Sequence, residues 1–308
     1  MRKHPSPMRY VGLLALALGT AALGSAPRSF PTPQAAVDAL IEAGRSGDHS
    51  KILAVLGSDA KSIIASGDPV ADKNAGQHFI EQYDQAHALV AGADGKQILV
   101  TGSDQWPFPL PLVQGKSGWS FDVKAGEKEI LARRVGRNEL DAIQVCLAYV
   151  DAQREYHDRN PAGNAPPTYA RQLISTQGKR DGLYWPAAEG TEASPLGELV
   201  AQATSEGYRV GGGRAPFHGY YYKILVKQGP TASGGALDYV VRGKMIGGFA
   251  LVAYPAEYGN SGVMTFLVNH EGTVFEKDLG PRTSQLAEQM TSFNPDQTWK
   301  KVAVTVSQ

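Results

Sequence analysis

The chain has one cysteine, Cys146, among 308 residues. One thiol closes no internal disulfide, so an oxidising compartment would add no covalent staple to this fold. Zinc sites built on paired cysteines are excluded on the same ground. The seven histidines are scattered, with no His-x-x-x-His spacing to set two imidazoles on one helix face. The Gly-x-Ser-x-Gly elbow of serine hydrolases is missing, and Gly211-Gly-Gly213 lacks the Gly-Lys-Ser/Thr ending of a phosphate loop. Excess charge is missing too: 30 Lys+Arg balance 30 Asp+Glu, which supplies no basic surface for nucleic acid. Long apolar runs are confined to Tyr10–Leu23, shorter than the roughly 20 residues a spanning helix needs.

That one run has the form of an export signal. Arg2, Lys3 and Arg9 precede it, and the small residues Ala22-Leu-Gly-Ser-Ala26 follow, with cleavage expected after Gly24 or Ala26. Residues 1–26 are therefore expected to be a signal peptide and the protein periplasmic, with outer-membrane association or secretion left open. A retained N-terminal anchor is the alternative. No cysteine follows the run, so no lipid anchor is expected. Without the leader, 27 cationic residues face 30 acidic ones, a formal charge of −3. Cys146 sits among Ile143, Leu147 and Val150 at helical spacing and is expected to be a small buried hydrophobe.

The remainder divides into two parts, expected at residues 30–123 and 124–308. Thr32-Pro33 and Ser66-Gly-Asp-Pro69 carry helix-start chemistry, a polar cap followed by proline. The helix after Pro69 is expected to turn Phe79, Ile80, Tyr83, Leu89 and Val90 inward. Strands are expected at Gln97–Thr101, Phe108–Val113 and Trp119–Val123. A long helix is expected from Gly126 to about Asp158, with Leu140 in its apolar stripe and Gly136 as a potential kink. Pro167–Ser175 and Ser194–Ser205 read as short helices, the latter capped by Ser194, and Arg282–Met290 as a last one. Between Gly219 and Leu279, short β-branched and aromatic runs broken by Gly, Asn and Pro read as an antiparallel meander. The fold class is α+β.

The segments Trp106-Pro-Phe-Pro-Leu-Pro111, Glu129–Glu139, Gly178–Pro186 and Gly247-Gly-Phe-Ala-Leu-Val-Ala-Tyr-Pro255 resemble the exported bacterial family catalogued as domain of unknown function 2950. The likeness runs from about Phe30 to Asp296 and implies a Gram-negative envelope protein with no established reaction. The order of helices and then strands in the first part is similar to nuclear-transport-factor-two-like domains. The second part, a long helix followed by an antiparallel sheet, loosely resembles type IV pilin heads. The leader departs from pilins: it lacks the Gly-aromatic processing site and the glutamate of the assembly helix.

For function, Lys179-Arg-Asp-Gly-Leu-Tyr-Trp-Pro186 is the most suggestive loop. An Asp-Gly turn flanked by cations and two aromatics can present a flat stacking face to a sugar or a partner. The favoured alternative is that Tyr184 and Trp185 plug the space between helix and sheet, with Arg180 in a salt bridge. Lys179, Arg180, Asp181, Tyr184, Trp185 and His218 are the candidate contact residues, and no catalytic residue, metal or cofactor is expected. The leading expectation is a non-enzymatic module that binds another envelope protein. The alternative is a glycan- or peptide-binding or hydrolytic protein with its site between the two halves.

Overall fold

The computed structural model describes residues 25–187, 190–211 and 214–303. The expected signal peptide up to residue 24, the glycines Gly212 and Gly213, and residues 304–308 lie outside the described residues.

Local chemistry sets the first helices. In α1 (Pro33–Ser46), the Thr32 hydroxyl accepts from the Ala35 amide at 3.1 Å and Pro33 opens the first turn. Gly47 ends the helix in the left-handed region, φ 64°. Asp48 caps α2 (His49–Leu56) through the Ser50 amide at 2.8 Å. A single turn, α3 (Lys61–Ile64), leads to α4 (Pro69–Gln85), capped by Asp68 on the Val70 and Ala71 amides. This helix stops at Gln85, not beyond Val90. Leu89 and Val90 belong to a strand, β1 (His87–Ala91), in which Val90 is exposed.

The first sheet comprises β1, β2 (Gln97–Thr101), β3 (Trp106–Pro107), β4 (Leu112–Gly115) and β5 (Gly118–Phe121). All pairings are antiparallel, in the order β1-β2-β4-β5, with β3 beside β2. The strand expected from Phe108 begins only at Leu112, because Pro109 and Pro111 have no N–H to give to a ladder. Val37, Leu40, Ile41, Leu56, Leu99 and Phe121 belong to one core in this half.

Helix α5 (Val123–Arg159) runs 37 residues without a break, so Gly136 neither kinks nor divides it. At 1.5 Å per residue it spans about 55 Å. Its opening residue Val123 is in the first core, and Ala142, Ile143, Cys146, Tyr149, Val150 and Tyr156 are in a second. Leu140 does not join the stripe; it is 66% exposed. It lies two residues from both Asn138 and Ala142, which turns it about 200° away from the buried face. Asn160, at φ 46°, caps the helix end.

Pro167–Ser175 is not a helix. The segment is extended, with Tyr169 N–H bonded to Met245 O and an Ile174–Tyr184 bridge. Helix α6 starts later than expected, at Gly197–Ser205, with no side-chain cap. Ser194 serves through its carbonyl, which accepts from Gly197 N at 2.8 Å.

The second sheet runs β14-β13-β12-β11-β6, antiparallel throughout: β6 (Tyr220–Leu225), β11 (Ala250–Pro255), β12 (Met264–Asn269), β13 (Phe275–Asp278) and β14 (Lys300–Lys301). Two small hairpins intervene, β7 (Lys227–Gln228) with β8 (Leu237–Asp238) and β9 (Val240–Val241) with β10 (Lys244–Met245). Every residue of β11 is buried, as expected of a central strand covered on both faces. Helices α5 and α7 (Thr283–Gln289) both pack on it.

Candidate functional site

The helices of the first half do not close on α5. They leave a cavity of about 510 Å³, inside the range of roughly 300–1,000 Å³ typical of small-molecule sites. Its apolar lining includes Leu40, Ile52, Ile63, Phe79, Phe108 and Ile130. Phe79 and Phe108 stack with centroids 4.8 Å apart, which fixes one wall. Gly44 of α1 and Gly76 of α4 also line the space.

The rim is cationic. Arg45, Lys73, Arg133, Arg134 and Arg137 line the cavity, against a single carboxylate, Asp72. Arg45 pairs with Asp84. Arg133 pairs with Glu129 and covers the exposed Trp106 ring at 4.7 Å. Arg134 donates to Ser62 O at 2.8 Å, to Ile63 O and to Asn260 Oδ1, which ties α5 to α3 and to the loop before β12. Burial pulls its pKa below the ordinary arginine value, against the opposing pull of Asp72. Lys73 and Arg137 have neither an acceptor nor a carboxylate partner among the described residues.

Beside the cavity, the two halves are joined through buried polar groups. Asp68, 1% exposed, accepts from the Tyr208 hydroxyl and the Gly219 amide, each at 2.9 Å. Burial, and then the Asp68 carboxylate, push the Tyr208 phenol well above its usual pKa. Asn138 Nδ2 donates to Ser261 O at 2.9 Å. Glu139 accepts from the Val263 and Met264 amides at 3.0 and 2.9 Å.

A family model described as "Protein of unknown function (DUF2950)" matches residues 27–302. The chain belongs to this family. No curated protein and no solved structure matches the chain.

In this family member His218 lies at the junction, between two carboxylates. Its Nε2 is 2.6 Å from Glu206 and its Nδ1 3.5 Å from Asp141. The imidazole stacks on Phe217 at 4.0 Å, and the backbone takes φ 50°. No serine or cysteine side chain hydrogen-bonds to it among the described residues. The arrangement orients the ring between two acids.

Lys179, Arg180, Asp181, Tyr184 and Trp185 lie together on one loop. No hydrogen bond, ion pair or ring contact joins them to His218 among the described residues. Lys179 is exposed. Arg180 pairs with Glu192 at 3.2 Å and covers the Trp185 ring at 5.4 Å. Slight burial works against the Asp181 carboxylate, but hydrogen bonds from Thr176 and Gln172 hold it below the usual range. Tyr184 is half-buried and bridges to Ile174. Trp185 is 5% exposed, belongs to the second core, and donates from Nε1 to Glu192 O at 3.3 Å. Its ring is packed rather than free for stacking. Asp181 also borders a shallow polar cleft of about 440 Å³ with Tyr156, Arg171, Gln172 and Lys244.

Among the described residues no group of three or more His, Cys, Asp or Glu side chains could hold a metal ion. No described helix is long and apolar enough to cross a membrane. Sequence reasoning missed the cavity residues. The one available signal was the surplus of Arg in Arg133-Arg-Val-Gly-Arg137 beside apolar Ile130.

Proposed function

We propose that the protein is a binding module of the bacterial cell envelope, without bond-making chemistry of its own, and that the cavity beside α5 is its ligand seat. The periplasm is its proposed location, reached by the leader over residues 1–26. The observation that carries the reading is the 510 Å³ space floored by half-buried Ile52, Ile63, Phe79, Phe108 and Ile130. These side chains pack on the first core by one side only, and the apolar surface left facing the space would gain dispersion and transfer energy from a ligand.

The test uses N-phenyl-1-naphthylamine, a neutral probe that brightens in apolar surroundings. The wild-type chain is expected to bind it at one site, and Ala71→Phe, which fills the cavity from α4, to lose the signal while keeping its circular dichroism. Equal binding by both proteins places the probe elsewhere and rejects the cavity as the seat.

A second reading keeps the expected protein partner. Strand β1 is an edge strand, and His87, Ala88, Val90 and Ala91 are exposed along it. Such an edge offers unpaired backbone groups to an added strand. In-cell crosslinking from Val90 tests it: one dominant protein partner supports the reading, and crosslinks spread over many proteins reject it.

A further inference from the structure

We propose that the ligand of this cavity is an anionic amphiphile with one apolar chain and a carboxylate head, of the fatty-acid class, its head held by Arg137 and Lys73. The inference rests on the cavity being the ligand seat and adds what the seat selects.

Most of the charges around the cavity are already satisfied by the protein. Of the five cations that line the space, three are engaged by the protein. Arg45 faces Asp84, Arg133 faces Glu129, and Arg134 spends its fork on the carbonyls of Ser62 and Ile63 and on Asn260. The one lining carboxylate, Asp72, accepts from the Ser66 amide at 2.9 Å and acts on Arg134. Arg137 and Lys73 remain, on α5 and α4, at the border of an apolar floor, with no acceptor of their own.

Unpaired cations at the edge of an apolar cavity select a ligand that is apolar at one end and anionic at the other. A guanidinium fork matches the two coplanar oxygens of a carboxylate. A volume of about 510 Å³ lies in the lower half of the usual ligand range, which suits one chain rather than a two-chain lipid. A neutral sugar would leave the floor uncompensated, and a cationic amphiphile would meet like charge.

The experiment is displacement of N-phenyl-1-naphthylamine from the full chain by dodecanoate, dodecanol, dodecyltrimethylammonium and dodecyl phosphate, with shorter and longer carboxylates beside them. Dodecanoate is expected to compete about tenfold more tightly than dodecanol, the equivalent of one charge-assisted hydrogen bond. Each added methylene should tighten the carboxylates about threefold to fourfold until the space is full. In Arg137→Gln, where Lys73 alone remains, the ratio of dodecanoate to dodecanol affinity should fall severalfold. Arg137 is exposed, so this variant is expected to fold as wild type. Equal displacement by dodecanoate and dodecanol, tighter displacement by dodecyl phosphate, or an unchanged ratio in Arg137→Gln would overturn the carboxylate assignment and leave the cavity reading standing. Failure of the probe to bind wild type would overturn both.

Discussion

The Tyr208 hydroxyl donates to Asp68 Oδ2 at 2.9 Å across 140 residues of chain. The same carboxylate caps α4 and accepts from the Gly219 amide, so one buried acid joins a helix start to the loop before β6. Tyr208→Phe leaves that acceptor short of one donor and should cost about 1–3 kcal/mol in urea unfolding. Asp68→Asn disturbs the cap and both long-range bonds and should cost about 2–4 kcal/mol. Losses under about 0.5 kcal/mol, the range of an ordinary surface change, would mean the junction holds by other contacts.

Burial pushes the Cys146 thiol from 9.0 up to about 12, and the Tyr239 phenol from 10.0 up to about 12. Both folded values lie above the unfolded ones. Their contribution is complete below pH 9 and is lost as pH rises from there towards 12. Cys146 alone should remove about 2 kcal/mol by about pH 10.5, read as a falling urea midpoint. The native thiol should resist Ellman's reagent at pH 8 and react on unfolding. Rapid native labelling would contradict its burial.

Gly136 lies inside unbroken α5, and a β-carbon there would meet nothing within 4 Å. Gly136→Ala should therefore stabilise the protein by about 0.5–1 kcal/mol, seen as a raised melting temperature. Destabilisation would show that the glycine serves a bend or a close contact.

Trp185 is packed in the second core, 5% exposed. Trp185→Ala should cost about 3–5 kcal/mol of stability. A variant of wild-type stability that had lost a partner would return this residue to the role of a contact surface.

Much of the architecture was legible in short-range chemistry. Thr32-Pro33 and Asp68-Pro69 announce helix starts because cap and proline act within one turn. The runs between Gly219 and Leu279 announce strands for a similar reason. The helix expected at Pro167–Ser175 gave way to pairing with Tyr184 and Met245, contacts remote or unforeseen in the sequence. Leu140 looked apolar and periodic, yet α5 changes partners along its length. His218 was singled out, but its partners Asp141 and Glu206 come from other elements. The cavity was illegible because Ile52, Ile63 and Phe79 obey the same helical period as residues that are fully packed; only the fold leaves them facing open space.

The most direct measurement is a methyl NMR titration of isoleucine-labelled protein with N-phenyl-1-naphthylamine. Shifts are expected at the cavity residues Ile52, Ile63, Ile64 and Ile130, with Ile143 and Ile224 of the second half unchanged. Shifts centred on Ile143 and Ile224, or no shift at the cavity residues at saturating probe, would contradict it.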